Sequence, residues 1–184
     1  MATKPILLIA GTNRPGSNAR RVQNIVKGIY GLIGEPVELY GLDEMPPEIF
    51  DPRSYAQKPA SFAAVQQRVL DAKGLHLITP EYNGGFPGVL KYFIDMLKFP
   101  ESFEHKPVAL IGEAAGIWGG IRPVEQLQHI FGYRNAYIFP ERVFLPRINE
   151  KFDTAGNFNE PDILQKLQAQ VAGFISFTNR LTTL

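Results

Sequence analysis

The sequence predicts an α/β protein built on a five-stranded, doubly wound parallel sheet, and three observations carry that prediction. Short, continuously apolar runs recur along the chain. Segments with apolar residues at helical spacing separate them. Three of the runs are followed by loops rich in glycine, proline and small polar residues. Apolar runs without alternation suit strands buried on both faces of a parallel sheet. Their regular exchange with helices calls for right-handed crossovers that place helices on both faces.

The first strand is expected at Ile6 to Ala10, ending at Gly11. After a polar loop, Val22, Ile25, Val26, Ile29, Leu32 and Ile33 recur at helical spacing, and Gly34 is a natural stop. Val37 to Tyr40 reads as a second strand. The stretch from Asp43 to Pro59, with prolines at 46, 47, 52 and 59, reads as a long loop. A second helix follows from Ala60 to Ala72, with Phe62, Val65, Val69 and Ala72 on one face. Leu75 to Thr79 forms the third strand, ending at Pro80. Leu90, Phe93, Ile94 and Leu97 mark a third helix, Val108 to Ile111 a fourth strand, and Val124, Leu127, Ile130 and Phe131 a fourth helix. Ala136 to Phe139 gives the fifth strand. A loop from Pro140 to Asn159 precedes a last helix that opens near Pro161, a residue suited to a first helical position. Its stripe is Ile163, Leu164, Leu167, Val171, Phe174, Ile175 and Leu181.

Composition narrows the function classes. A chain of 184 residues is expected to form a single domain over 1–184, since domains run to about 150 residues. Nineteen basic against 18 acidic residues leave a net charge of +1, so there is no electrostatic case for a nucleic-acid or membrane-surface partner. The absence of cysteine excludes disulfides, thiol catalysis and thiolate metal sites. The lead-in from Met1 to Pro5 and the short apolar run after it do not read as a targeting signal, and no run approaches the roughly 18 apolar residues of a spanning helix. The expected location is the cytoplasm.

In open parallel sheets, ligands bind beyond the carboxyl ends of the strands, which draws attention to the loops after strands one, three and four. The first, from Gly11 to Asn18, ends where a helix begins. Unpaired amides and the positive end of the helix dipole attract a phosphate there. Thr12, Ser17 and Asn18 add donors, Arg14 adds a charged fork, and Gly16 permits a sharp turn. The plainer reading is that Ser17 or Asn18 caps the helix and Arg14 is a solvated charge. With Asn at position 13 the loop is not Gly-x-Gly-x-x-Gly, and it lacks the Gly-Lys-Ser/Thr ending of a P-loop. No acidic residue ends strand two where a ribose would need it: Glu38 lies inside the strand and Asp43 beyond it. The second loop, Thr79 to Gly88, combines two prolines and three glycines that hold backbone amides in an arc suited to a planar heterocycle, with Tyr82 offering a flat face. Lys91 and Asp95 also read as a plain surface pair.

These two segments, Gly11-Thr12-x-Arg14-x-Gly16-Ser17 and Pro80-Glu81-Tyr82-Asn83 through Pro87-Gly88-x-Leu90-Lys91 to Ile94-Asp95, resemble the NADPH-dependent FMN reductase family of flavodoxin-like proteins. That family includes azo, quinone and chromate reductases. The resemblance runs from Ile6 to about Phe139. It implies a three-layer sandwich with strand order 2-1-3-4-5 and FMN as cofactor with NADPH or NADH as reductant. The implied acceptors are small molecules such as quinones, azo compounds or free flavin, reduced in a ping-pong hydride transfer. Thr12, Arg14, Ser17, Asn18 and the amide of Ala19 would hold the FMN phosphate. Pro80, Glu81, Tyr82, Asn83 and Gly84 would line the isoalloxazine ring, and the third loop, Gly112 to Gly120, with Ala114 and Gly116, would flank the ribityl and pyrimidine side. Members of this kind are usually homodimers or homotetramers in which the helix from Leu90 to Leu97 takes part. No side-chain nucleophile or metal is expected, and the separated His76, His105 and His129 have no ligand-like spacing. The third loop departs from the pattern. Ala114 stands near the place where many relatives carry a small hydroxyl, Glu113 adds a negative charge, and Trp118 is unusual. An FMN-binding electron carrier and a cofactor-free flavodoxin-like binding protein are the alternatives. Carriers are usually strongly acidic, which this chain is not.

Overall fold

A computed structural model describes residues 4–181; the outermost residues of the predicted 1–184 domain, 1–3 and 182–184, lie outside the described residues. The elements in chain order are β1 (Ile6–Ala10), α1 (Asn18–Ile33), β2 (Val37–Gly41), α2 (Ala60–Asp71), β3 (Gly74–Pro80), α3 (Gly88–Met96), β4 (Pro107–Glu113), α4 (Ile121–Tyr133), β5 (Tyr137–Ile138), β6 (Val143–Leu145) and α5 (Pro161–Leu181). The sheet is parallel throughout, in the order β2-β1-β3-β4-β5, as the sequence resemblance implied. Strands β1, β3 and β4 are buried at every position, which explains their unbroken apolar sequences.

The pleat divides the core in two. Leu7 and Ile9 of β1 face a cluster with Phe62, Leu90, Phe93, Val124 and Leu127 from α2, α3 and α4. Ile6, Leu8 and Ala10 face the opposite cluster with Val22, Val26, Leu167, Val171 and Phe174 from α1 and α5. Helix α1 starts where Ser17 Oγ accepts the Arg20 amide at 3.3 Å, and it stops at Gly34 in the left-handed conformation. Its predicted stripe is shorter than the sequence suggested. Leu32 and Ile33, in the last turn, are exposed, and the buried face of α1 ends at Ile29 and Tyr30. Lys106 Nζ donates to the carbonyls of Val69, Leu70 and Ala72 at the carboxyl end of α2, where a cation is favoured.

Two predicted loops carry structure of their own. Residues 43–59 are folded into short 3₁₀ turns, two of them at Pro47–Phe50 and Pro52–Tyr55, and Ile49 is buried beneath them. The loop predicted over 140–159 contains β6, a sixth strand that pairs with β4 through Ile111–Val143, Gly112–Phe144 and Glu113–Leu145. The sheet therefore has six strands rather than five. Proline at 140 lacks an amide donor and interrupts the edge after β5. The chain then returns to β4 three residues later.

That interruption is bridged by a side chain. Gln170 Nε2, from α5, donates to the Leu110 carbonyl on β4 and to the Glu141 carbonyl, both at 2.9 Å. Its Oε1 is therefore the acceptor for His76 Nε2 at 3.2 Å, which leaves His76 Nδ1 to accept from the Tyr30 hydroxyl at 2.9 Å. His76 is thus a core residue in a satisfied polar chain, held neutral, with burial pushing its imidazole down to about 4 from 6.5. Between those values the folded state binds fewer protons than the unfolded, so the contribution of His76 to stability is lost as pH falls from 6.5 to 4. In urea titrations the stability advantage of wild type over His76→Gln at pH 7 should shrink by up to about 3 kcal/mol at pH 4. A gap that does not change with pH would disprove the neutral, buried assignment.

Candidate functional site

All three predicted loops meet at the carboxyl edge of the sheet. The first loop turns at Gly16, with φ +65°, and delivers Ser17 to the start of α1. The helix leaves the amides of Asn18 and Ala19 without intrahelical carbonyls. Thr12 is fully buried behind the loop, where its Oγ1 accepts the Arg14 amide at 3.2 Å and lies 3.0 Å from the Tyr82 hydroxyl. One hydroxyl pair thus ties the first loop to the second. Within the second loop, Tyr82 and Gly85 exchange two backbone hydrogen bonds around Asn83 and Gly84, whose φ values are +52° and +78°. Among the described residues, the amides of Asn83 and Gly84 take no backbone partner in this tight turn.

The third loop is held by close packing. A Cβ on Gly112 would lie 2.6 Å from the Gly120 carbonyl oxygen, and one on Gly119 would lie 2.8 Å from the Pro146 nitrogen. Residues 112 and 119–120 therefore allow the loop to fold flat against β4 and against the chain leaving β6. Backbone bonds complete the clasp. Ala114 donates to Leu145, Ile148 to Ala114, and Arg147 to the Gly116 carbonyl.

Two adjoining cavities result. The larger, about 420 Å³, is lined by Arg14, Gly16, Ser17 and Asn18 on one side and by Pro80, Glu81 and Tyr82 on the other. Glu113, Ala114 and Ala115 line its floor, with Ile148 and Asn149 closing it. The smaller, about 200 Å³, is lined by Asn83, Gly84, Gly116, Trp118 and Arg122 and shares Glu81, Ala114 and Ala115 with the first. Of the predicted site residues, all but Thr12 and Ala19 line one cavity or the other. Ala19 packs its methyl group in the core, so only its amide is available to a ligand.

Sequence reasoning missed Asn149 and Ile148. Asn149 Oδ1 accepts from Asn18 Nδ2 at 2.7 Å, orienting that amide across the cavity mouth. No local signal marks these residues; they reach the site only because β6 returns the chain to β4. Arg122 was also missed. Its Nη1 donates to Glu81 Oε1 at 2.7 Å, whereas Glu81 Oε2 is buried and has no partner among the described residues.

The cations sort themselves by partner. Arg20 is occupied by Asp43 at 2.6 Å and by Glu44, and Arg21 lies over the Phe152 ring at 3.6 Å. Asp43 is thereby committed to Arg20, and Glu38 pairs with Arg68. Arg14 remains as the exposed cation on the wall of the larger cavity, at the start of α1. Opposite in sign is Glu113, 4% exposed at the end of β4. Burial raises its carboxyl to about 7, against a weaker downward pull from Arg14.

A family model for NADPH-dependent FMN reductases matches residues 5–150, the span that supplies β1 through β6 and every cavity-lining residue named above. The chain belongs to that family. It is accordingly an oxidoreductase whose cofactors are FMN and a nicotinamide dinucleotide. This family member is 26% identical over 180 residues to a quinone reductase of Escherichia coli (strain K12), covering 96% of both chains. It is 27% identical over 175 residues to an NADPH azoreductase of Bacillus sp. (strain OY1-2), covering 91% of this chain and 92% of the other. Its fold matches that of the flavoenzyme NAD(P)H:(acceptor) oxidoreductase FerB from Paracoccus denitrificans with a TM-score of 0.80 at 20% identity, over 97% and 98% of the two chains. Among the described residues, no helix is long and apolar enough to cross a membrane.

Glu113 gives the reductase a measurable stability signature. Between the ordinary 4.5 and about 7 the folded state binds more protons than the unfolded, so the buried carboxyl lowers stability progressively as pH rises through that window. Glu113→Gln should match wild type near pH 4 and exceed it by about 2–3 kcal/mol at pH 8 in urea unfolding of the ligand-free protein. Equal stabilities at pH 8 would place the carboxylate in water rather than in the cavity floor. The window overlaps that of His76 with the opposite slope, so single variants, rather than the wild-type profile, separate the two groups.

Proposed function

We propose that this chain, as a single domain, reduces small acceptors with NAD(P)H at an FMN held across the two adjoining cavities. The observation that carries this reading is the convergence of a helix N-terminus and Arg14 with the turn at Asn83 and Gly84 around one opening. Unpaired amides and a guanidinium suit a phosphate. The donors on this wall are the Ser17 hydroxyl, the Asn18 side chain and the amides of Asn18 and Ala19, with Thr12 holding the Arg14 backbone in place. The free amides of Asn83 and Gly84, with Pro80, Glu81 and Tyr82, suit the edge of a polar, planar ring. The partnerless Glu81 Oε2 is a buried acceptor ready for a ligand donor. Ala114 and Gly116 offer backbone rather than side-chain contacts on the remaining side.

Bound FMN supplies the hydride-transfer chemistry. The protein's part is to bind, orient and shield. The third loop and the Ile148–Asn149 segment line the cavities opposite the first two loops, and the nicotinamide and the acceptor take turns at the cavity opening in a ping-pong sequence. Quinones, azo compounds and free flavin are the acceptors that fit such an opening. The names of the quinone reductase and azoreductase relatives support this choice. We infer a homodimer or homotetramer, since Ile117 and Trp118 stand 62% and 57% exposed beside the site and Phe99 is 68% exposed beyond α3. The cytoplasm, where NAD(P)H is maintained, is the corresponding location.

Purified protein mixed with FMN and freed of excess should retain flavin and oxidise NADPH when a quinone is supplied. Failure to retain flavin at micromolar excess would overturn the reading. Arg14→Ala should weaken FMN binding by about 1.5–3 kcal/mol, a factor of roughly 10–150, in a fluorescence titration. An unchanged affinity would mean that the phosphate lies elsewhere.

A further inference from the structure

Glu113 runs against the character of the wall that surrounds it. Apart from Glu81, which Arg122 holds through one oxygen, the rest of the larger cavity is arranged for an anion, with the start of α1, the Ser17 hydroxyl, the Asn18 amide and Arg14. A carboxyl group nevertheless sits in its floor at 4% exposure, brought there as the last residue of β4. Its backbone is held from two sides. Gly120 lies against the Glu113 backbone so closely that a Cβ at 120 would be 2.5 Å from the Glu113 amide nitrogen, and β6 pairs alongside at Leu145.

Three segments of the chain bring polar or charged groups toward this carboxyl. The first loop contributes Arg14, whose charge favours the ionised form of Glu113 against the larger effect of burial. The second contributes Tyr82, whose hydroxyl is engaged with Thr12, and Glu81, which is tied to Arg122 of α4. The chain after β6 contributes Ile148 and Asn149, neither of which titrates in this range. Arg20 and Arg21, on α1, are turned to Asp43, Glu44 and Phe152. One cation therefore has two prospective anions, the Glu113 carboxylate and a ligand phosphate.

We propose that Glu113 couples a proton to cofactor binding: the cavity takes the phosphorylated flavin with the Glu113 carboxyl neutral, and the ionised carboxylate competes with the phosphate for Arg14. This inference rests on the FMN reading of the cavity. Starting from the ionised form, each binding event takes up one proton at Glu113, and release of the cofactor returns it. The neutral acid also carries an O–H donor, which Ala114 beside it lacks. Because burial holds the carboxyl near 7, the exchange operates across neutral pH.

The test is a set of FMN titrations by flavin fluorescence from pH 6 to pH 9 on wild type, Glu113→Gln and Glu113→Ala, each checked for folding by circular dichroism. Calorimetry at pH 8 in two buffers of different ionisation enthalpy counts the protons exchanged. Wild type should lose affinity above pH 7, approaching tenfold per pH unit, and take up protons at pH 8. Both variants should show neither effect and bind FMN at least roughly tenfold more tightly than wild type at pH 9. The alanine variant keeps the test open if glutamine disturbs the packed floor. Parallel pH profiles and equal proton counts in all three proteins would overturn the inference while leaving the FMN reading intact. Absence of FMN binding by all three at every pH would overturn the FMN reading itself.

Discussion

The carbonyls of Leu110 and Glu141 face a break in the sheet edge between β5 and β6, and the single side chain of Gln170 satisfies both. An unmet carbonyl in that position would carry a desolvation penalty of about 1–3 kcal/mol. The bridge links α5, β4 and the approach to β6, and through His76 and Tyr30 it extends to β3 and α1. Because the edge is repaired in this way, the chain can leave the sheet at Pro140 and rejoin it opposite the last residues of β4. That return brings Leu145, Arg147 and Ile148 against the third loop. The outer wall of the cavities therefore depends on a buried polar contact on the α1 and α5 side of the sheet.

The site itself is a balance of opposed preferences. A helix start, free turn amides and Arg14 favour negative charge, and the two carboxyl groups nearby are treated differently. Glu81 is held by Arg122 through one oxygen and leaves the other unpartnered between the cavities. Glu113 has only the longer-range influence of Arg14 and lies deep enough that ionisation is penalised at neutral pH. Ala114 offers no polar side chain, so what the third loop presents at that position is backbone. Contacts made by amides do not require a side chain, and they hold their positions because the glycines at 112, 119 and 120 let three backbones pack within contact distance.

Family membership and local geometry agree in an instructive way. The match to NADPH-dependent FMN reductases spans residues 5–150, and the same span forms the sheet and both cavities. Helix α5 lies beyond it, yet supplies Gln170 and much of one core cluster. The functional pattern is thus written in the loops, while a long helix outside the matched segment supports their arrangement.

Much of the architecture is legible in local sequence. The unbroken apolar runs of β1, β3 and β4, the stripe of α5 and the stop at Gly34 each follow from periodicity or from one residue's conformational preference. The first two loops announce themselves through residues adjacent in the chain. Other features are not local. Strand β6 is only three residues long, and Val143-Phe144-Leu145 is too short an apolar run to mark a strand by itself; it becomes one because β4 offers an unpaired edge at Ile111 to Glu113. Leu32 and Ile33 fit the helical stripe by spacing, but they stand exposed in the last turn. Asn149 enters the site from 131 residues beyond Asn18, the distance over which no spacing rule applies. The sequence by itself determined five of the six strands, the helices and the chemistry of the loops, because these depend on neighbours along the chain. Tertiary structure decided which arginine faces the cavity, where the 143–149 segment lies and how deeply Glu113 is buried, because those depend on which distant backbones can approach and satisfy one another.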